Sequence, residues 1–138
     1  MSAFDIQSSD LSGCSVLAVD DVPINLLLVE KMLSRFNFRL RRASNGQQAL
    51  EEIRRERPDL VLLDLLMPVM DGFELLRTLR SNPETADIRV VILSALNSNE
   101  DIVRGYQLGA NDFITKPVVM EKLINCVATQ LTLAQSER

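Results

Sequence analysis

Residues 60–72 read Leu60-Val-Leu-Leu-Asp64-Leu-Leu-Met-Pro68-Val-Met-Asp71-Gly72, and this segment indicates which kind of fold the chain adopts. Its first four residues are all apolar, which is typical of a central strand of a parallel sheet that is buried on both faces. The strand ends at Asp64, a loop follows, and Asp71-Gly72 begins a helix. A buried strand joined to a helix in this way predicts an α/β fold with a parallel sheet.

The rest of the chain repeats this alternation of strand and helix. Short apolar runs predict the strands, and apolar residues at helical spacing predict the helices between them. The predicted fold is therefore an α/β, doubly wound, five-stranded parallel sheet with right-handed crossovers, flanked by five helices. The predicted strands are 14–19, 38–43, 60–63, 88–93 and 112–115, and the predicted helices are 23–36, 47–56, 71–80, 99–108 and 120–133.

The length and composition suit one globular domain. The chain has 138 residues, of which 46% are hydrophobic and 25% are charged, and such a composition can bury a single core. We expect residues 1–13 to be a flexible lead-in, residues 14–133 to form the domain, and residues 134–138 to be a short tail. We expect so short a tail to hold no effector domain, and the sequence leaves open whether the module works alone or within a larger protein.

Polar side chains end four of the five predicted strands, namely Asp20-Asp21, Asp64, Ser94 and Lys116. Ligands of open parallel sheets bind beyond the carboxyl ends of the strands. The acidic residues could instead simply cap strand ends or the helices that follow. Three carboxylates brought together need a compensating cation, and oxygen ligands at a wet edge suit Mg²⁺. A carboxylate, a hard cation, an ammonium group and a hydroxyl group together predict a phosphoryl site, with a carboxylate as nucleophile.

Several classes of function are excluded by composition. Histidine is absent, which rules out Ser-His-Asp and Cys-His catalysis and histidine-ligated zinc. The net charge of −4 opposes direct binding to nucleic acid. No apolar run approaches the ~20 residues that cross a bilayer, and the polar start is no signal peptide. We therefore expect a cytoplasmic protein that binds no membrane, with Cys14 and Cys126 as buried free thiols.

Four motifs, taken together, are similar to those of a known family. They are Val-Asp20-Asp21, the segment 60–72 quoted above, Ile-Leu-Ser94-Ala95, and Leu-Gly-Ala-Asn-Asp-Phe113-Ile-Thr-Lys116-Pro117. The chain resembles, over residues 14–133, the receiver domain of two-component response regulators, whose fold is also that of the chemotaxis response regulator. The resemblance implies a flavodoxin-like fold with strand order 2-1-3-4-5.

The resemblance implies a chemical role for each strand-end residue. Asp64 is the implied phosphoacceptor, and Lys116 is the implied partner of the phosphoryl group. The implied ligands of Mg²⁺ are Asp20, Asp21, Asp64 and the backbone carbonyl of Leu66, and Mn²⁺ is an acceptable substitute.

Further residues match positions that switch or control the signal in the family. Ser94 matches the hydroxyl residue that follows the phosphoryl group, and Phe113 matches the switch aromatic residue, although as phenylalanine it lacks a hydroxyl. Pro117 matches a position that is usually cis. Leu66 and Leu96 match the two positions that flank the approach of water to the phosphoryl group, and their apolar side chains could slow its hydrolysis.

Two other functions fit an acidic strand-end site. A phosphatase or mutase of the haloacid-dehalogenase type would carry a second aspartate two residues after the nucleophile, where this chain has Leu66, and it would need an acid–base group. A degenerate receiver would act as a scaffold without being phosphorylated. We expect no turnover enzyme, but a module that catalyses only its own phosphorylation and slow dephosphorylation. The implied partners are a sensor histidine kinase or phosphotransfer protein, a downstream effector, and a second copy in a phosphorylation-dependent homodimer.

Overall fold

The computed structural model describes residue 11 and residues 13–34, 36–67 and 70–137. Five parallel strands form one sheet in the order β2-β1-β3-β4-β5, as predicted. The strands are β1 (Ser15–Val19), β2 (Arg39–Ala43), β3 (Leu60–Leu63), β4 (Arg89–Ser94) and β5 (Asp112–Thr115). The helices are α1 (Pro23–Leu33), α2 (Gly46–Arg55), α3 (Gly72–Ser81), α4 (Asn99–Gln107) and α5 (Met120–Ser136). This arrangement is the predicted doubly wound α/β fold.

The composition of each strand agrees with its place in the sheet. Strands β1 and β3 are buried along their whole length, because each lies between two other strands and beneath helices on both faces. Strand β2 lies at one edge and carries Arg39, Arg41 and Arg42. These arginines form ion pairs with glutamates in α1, in α2 and at the C-terminal cap of α2. Charged side chains on an edge strand oppose pairing with other chains.

Three of the helices begin at a side-chain cap. Asn45, Asp71 and Ser98 each accept a hydrogen bond from a backbone N–H in the first turn of α2, α3 and α4, respectively. Such caps satisfy amide groups that the helix itself leaves without partners. Pro23 occupies the start of α1, where proline costs no hydrogen bond. These local signals mark where the first four helices begin.

Two separate hydrophobic cores lie on opposite faces of the sheet. Val16 and Ala18 point into the core beneath α1 and α5, whereas Leu17 and Val19 point into the core beneath α2, α3 and α4. The alternation follows from the two-residue period of a strand. Cys14 and Cys126 are buried, and neither forms a disulfide bond within the described residues, as predicted.

Some boundaries differ from those predicted. Helix α1 ends at Leu33, three residues before the predicted end, and Phe36 packs beside the core from the connecting loop. Helix α5 continues to Ser136, three residues past the predicted end, although Leu131 is its last buried residue. Most of the predicted lead-in lies outside the described residues, but Leu11 packs into the α1–α5 core. Within the described ranges, no helix is both long and apolar enough to cross a bilayer.

Candidate functional site

Adjacent strands place two aspartates side by side at the carboxyl edge of the sheet. Asp20 follows β1 and Asp64 follows β3, and these strands are hydrogen-bonded neighbours. The pairing continues past the strands, because Asp64 N donates to Val19 O at 3.0 Å and Asp20 N donates to Ala43 O at 3.1 Å. The sheet itself therefore fixes the backbone beneath both carboxylates.

Three carboxylates converge at this edge. Ligand atoms of Asp20, Asp21 and Asp64 all lie within 4.8 Å of one another, and Asp20 and Asp64 are only 7% and 5% exposed. One oxygen of Asp20 accepts a hydrogen bond from Val22 N at 2.9 Å. Asp21 Oδ1 is buried and finds no hydrogen-bond donor among the described residues. The sequence prediction that these aspartates would meet is thus matched by their geometry.

Lys116 brings a positive charge to the carboxylates from the end of β5. Its Nζ atom lies 3.0 Å from Asp20 Oδ2 and 3.8 Å from Asp64 Oδ1. The backbone of Lys116 is anchored to β4, because its N–H donates to Ser94 O at 2.9 Å. One ammonium group offsets one of the three carboxylate charges, so the cluster retains an excess of negative charge.

Asp64 is held in an environment that disfavours its ionised form. Burial raises the pKa of Asp64 to about 6, and the charges of Asp20 and Asp21 add to this rise. Lys116 and a hydrogen bond from Leu66 N, 3.3 Å from Asp64 Oδ1, act in the opposite direction. Desolvation thus outweighs attraction by the lysine. Any additional positive charge placed beside Asp64 would therefore stabilise its ionised form.

The donor set fits a small divalent cation. All side-chain ligand atoms of the cluster are carboxylate oxygens, and Asp21 Oδ1 is buried with no hydrogen-bond partner among the described residues. Hard cations such as Mg²⁺ and Mn²⁺ prefer oxygen ligands, and Mg²⁺ is usually held by a few carboxylates together with water. The residues present therefore suit the metal that the sequence predicted.

Ser94 lies at the same edge, but its hydroxyl is engaged within its own loop. The residue is fully buried at the end of β4, and its Oγ atom accepts a hydrogen bond from Leu96 N at 3.2 Å. Phe113 lies in β5 opposite Ile92 of β4. Its side chain is half-buried and packs against the core beneath α2, α3 and α4. The peptide bond between Lys116 and Pro117 is cis, in agreement with the family resemblance.

The two leucines predicted to flank the access of water differ in their environment. Leu66 is 52% exposed, whereas Leu96 is half-buried and packs beside the α2–α4 core. Leu66 lies two positions after Asp64, and Leu96 lies two positions after Ser94. Leu66 thus presents hydrocarbon to solvent close to the carboxylates.

Gly72 supports the site, although the sequence suggested only that it begins a helix. A Cβ atom there would lie 2.4 Å from the carbonyl oxygen of Asp64 and 2.7 Å from the Cα atom of Leu65. The Gly72 N–H donates to Leu65 O at 3.1 Å, which draws the start of α3 against the backbone of the Asp64 loop. The signal was present as Asp71-Gly72 directly after that loop, but the close approach depends on tertiary packing.

Comparison with known proteins gives a consistent result. The chain matches the family model of the response regulator receiver domain over residues 16–128. Response regulator PleD of Caulobacter vibrioides is 41% identical over 103 residues, which cover 75% of this chain and 23% of PleD. Protein PilH of Pseudomonas aeruginosa is 36% identical over 112 residues, which cover 81% of this chain and 93% of PilH.

A solved structure shows the same similarity. The signal receiver domain of a signal transduction histidine kinase from Syntrophus aciditrophicus is 34% identical, with a TM-score of 0.80, over 87% of this chain and 91% of that domain. The chain spans less than a third of the length of several curated relatives it matches, PleD among them.

Proposed function

This chain belongs to the family of response regulator receiver domains, and we propose that it accepts a phosphoryl group from a phosphohistidine donor on Asp64. The observation that carries the proposal is the convergence of three carboxylates and Lys116 at one sheet edge, with a buried Asp21 oxygen that has no donor among the described residues. This set of charges suits a divalent cation and a phosphoryl group bound together.

Asp64 would act as the nucleophile. One of its carboxylate oxygens forms the new P–O bond, while the P–N bond of the phosphohistidine breaks and the imidazole leaves. Lys116 Nζ, 3.8 Å from Asp64 Oδ1, would pair with a phosphoryl oxygen. The chain would thereby catalyse its own phosphorylation and slow dephosphorylation without turning over a separate substrate.

The proposed metal is Mg²⁺, with Mn²⁺ as a substitute. Asp20, Asp21, Asp64 and the backbone carbonyl of Leu66 would hold it, and the ion would supply positive charge beside the transferred group. The Leu66 backbone is a suitable ligand because its N–H donates to Asp64 Oδ1, which keeps this part of the loop next to the carboxylates.

Phosphorylation would change the hydrogen bond of Ser94. Its hydroxyl, which now accepts from Leu96 N, could instead donate to a phosphoryl oxygen. The loop between β4 and α4 would then move toward Asp64, and the surface of α4, β5 and α5 around Phe113 would change with it. We propose that this surface binds a downstream effector or a second phosphorylated copy, and that nucleic acid and membranes are not its partners.

A protein donor suits the surroundings of Asp64. Several apolar side chains are exposed, namely Val22 and Ile24 in the α1 region, Leu66 beside Asp64, and Val119 and Met120 at the start of α5. Exposed apolar surface of this kind is typical of protein-binding sites. We therefore propose a sensor histidine kinase or a phosphotransfer protein as the source of the phosphoryl group.

Intact-mass spectrometry tests the assignment of Asp64. With acetyl phosphate and Mg²⁺, the wild-type chain should gain one phosphoryl group, the Asp64→Asn variant none, and the control Asp87→Asn one. Asp87 is an exposed carboxylate that pairs with Arg57 just before β4, at the opposite edge of the sheet. Equal labelling of Asp64→Asn would overturn the assignment. An unlabelled wild type would favour the scaffold alternative, and release of many phosphate equivalents per chain would favour an enzyme.

A further inference from the structure

Helix α4 is held in place by few contacts. Of its nine residues, all of which the structure describes, Gly105 alone is buried. A Cβ atom on Gly105 would lie 2.8 Å from Ile92 Cδ1 and 3.2 Å from Phe113 Cδ2, so the helix backbone rests directly on these side chains. Helices in proteins are stabilised mainly by a buried apolar face. Because this face of α4 is so small, the position of the helix depends on contacts that its surface residues make.

Tyr106, the residue after Gly105, makes one of these contacts. Its hydroxyl donates a hydrogen bond to Asp112 Oδ1 at 3.2 Å. The same carboxylate accepts hydrogen bonds from Phe113 N at 2.8 Å and from the Cys126 thiol at 3.2 Å. Asp112 begins β5 and Cys126 lies in α5. One carboxylate therefore connects α4, β5 and α5.

Both side-chain donors keep their protons at neutral pH. Burial and the nearby charge of Asp112 raise the pKa of Tyr106. Burial and the hydrogen bond to Asp112 likewise raise the pKa of the Cys126 thiol. Hydrogen bonds to an ionised carboxylate are stronger than those between neutral groups. The contact between Tyr106 and Asp112 is thus suited to holding a helix that has little buried surface.

We propose that the Tyr106–Asp112 hydrogen bond is a latch that holds α4 in its unphosphorylated position and opens when Asp64 is phosphorylated. This inference rests on the proposed function, because it requires Ser94 to follow the phosphoryl group. Only residues 95–98 separate Ser94 from α4, so movement of that loop is transmitted to the helix. Tyr106 is a positioning residue here, since it acts through Asp112 and does not touch the reacting atoms.

The fluorescence of the chain reports on the latch directly. Tyr106 is the one tyrosine of the sequence, and tryptophan is absent, so tyrosine emission comes from Tyr106 alone. A hydrogen bond to a carboxylate quenches phenol emission. On addition of acetyl phosphate and Mg²⁺, the emission of the wild type should rise toward that of the Asp112→Asn variant, whose emission should be high before and after.

Mass measured in the same samples separates the two hypotheses. A gain of one phosphoryl group without a rise in wild-type emission would overturn the latch and leave the proposed function intact. No gain in mass would overturn the proposed function and the latch with it.

A rate measurement provides a second test that keeps the aromatic ring in place. If the latch opposes switching, Tyr106→Phe should be phosphorylated by acetyl phosphate about fivefold faster than the wild type, the factor typical of one hydrogen bond. Thr129→Val is the matched control, because this exposed hydroxyl of α5 donates to Asn125 O within its own helix, and its rate should not change. An equal or slower rate for Tyr106→Phe would contradict the latch.

Discussion

Replacing Asp64 by asparagine should stabilise the protein at neutral pH when divalent cations are absent. The substitution keeps the shape of the side chain and removes one of three clustered negative charges. In the folded protein the pKa of Asp64 is raised to about 6 from an ordinary value of 3.8. Each pKa unit corresponds to about 1.4 kcal/mol, so keeping Asp64 ionised in the fold costs about 3 kcal/mol above pH 7.

The sign of the pH dependence follows from the raised pKa. Well below pH 3.8, Asp64 is protonated in both the folded and the unfolded chain, so its ionisation does not lower the stability of the wild type. As the pH rises from 4 to 6, the unfolded chain loses this proton first, so the wild type loses stability relative to the variant. The stability advantage of Asp64→Asn should therefore be small at pH 4, grow through this window and level off above pH 6.

Urea unfolding followed by circular dichroism measures this difference. Free energies of unfolding would be compared at pH 4, 5, 6 and 7.5 in the presence of EDTA. The control Asp87→Asn should be neutral or slightly destabilising, because Arg57 lowers the pKa of Asp87 through a hydrogen bond. Saturating Mg²⁺ should reduce or reverse the advantage of Asp64→Asn, since the cation compensates the wild-type carboxylates. Equal or lower stability of the variant at pH 7.5 in EDTA would refute the electrostatic reasoning.

Three further variants probe the metal, the backbone support and the access of water. Mg²⁺ at 100 times its dissociation constant should stabilise the wild type by about 2.7 kcal/mol, and Asp21→Ala should remove most of this gain in thermal melts; an undiminished response would place the metal elsewhere. Gly72→Ala should slow phosphorylation by acetyl phosphate at least about tenfold, because its Cβ would displace the Asp64 loop; a wild-type rate would show that the loop tolerates this shift. The double variant Leu66→Asn, Leu96→Glu should lose its phosphoryl group several-fold faster than the wild type, measured on a gel after removal of the donor, and unchanged decay would show that hydrocarbon does not limit water here.

The sequence predicted the sheet and the residues at its edge because both depend on local signals. A run such as Leu60–Leu63, apolar on both faces, has few alternatives to a central strand. Since the carboxyl ends of parallel strands meet at one edge, residues directly after the strands, such as Asp20 and Asp64, were expected to lie at the same edge of the sheet. The order of the strands came from the family resemblance, because apolar patterns do not say which strands are neighbours.

Features that depend on tertiary distances could not be predicted. Two examples are the close approach of Gly72 to the Asp64 backbone and the sharing of Asp112 by three elements, because both bring together atoms from separate segments. Some helix ends also escaped prediction, since α5 continues to Ser136 although its last buried residue is Leu131.

The sheet divides the interior into two cores, and this division affects how the sequence can evolve. Neighbouring residues of one strand, such as Leu17 and Ala18, belong to different cores, and side chains that share no neighbours contribute independently to stability. The stability lost through a substitution beneath α1 can therefore be restored by substitutions beneath α1 and α5, without changes in the packing beneath α2 and α3. The two halves can diverge separately, and recognition surfaces on opposite sides of the protein can be refitted to new partners one at a time.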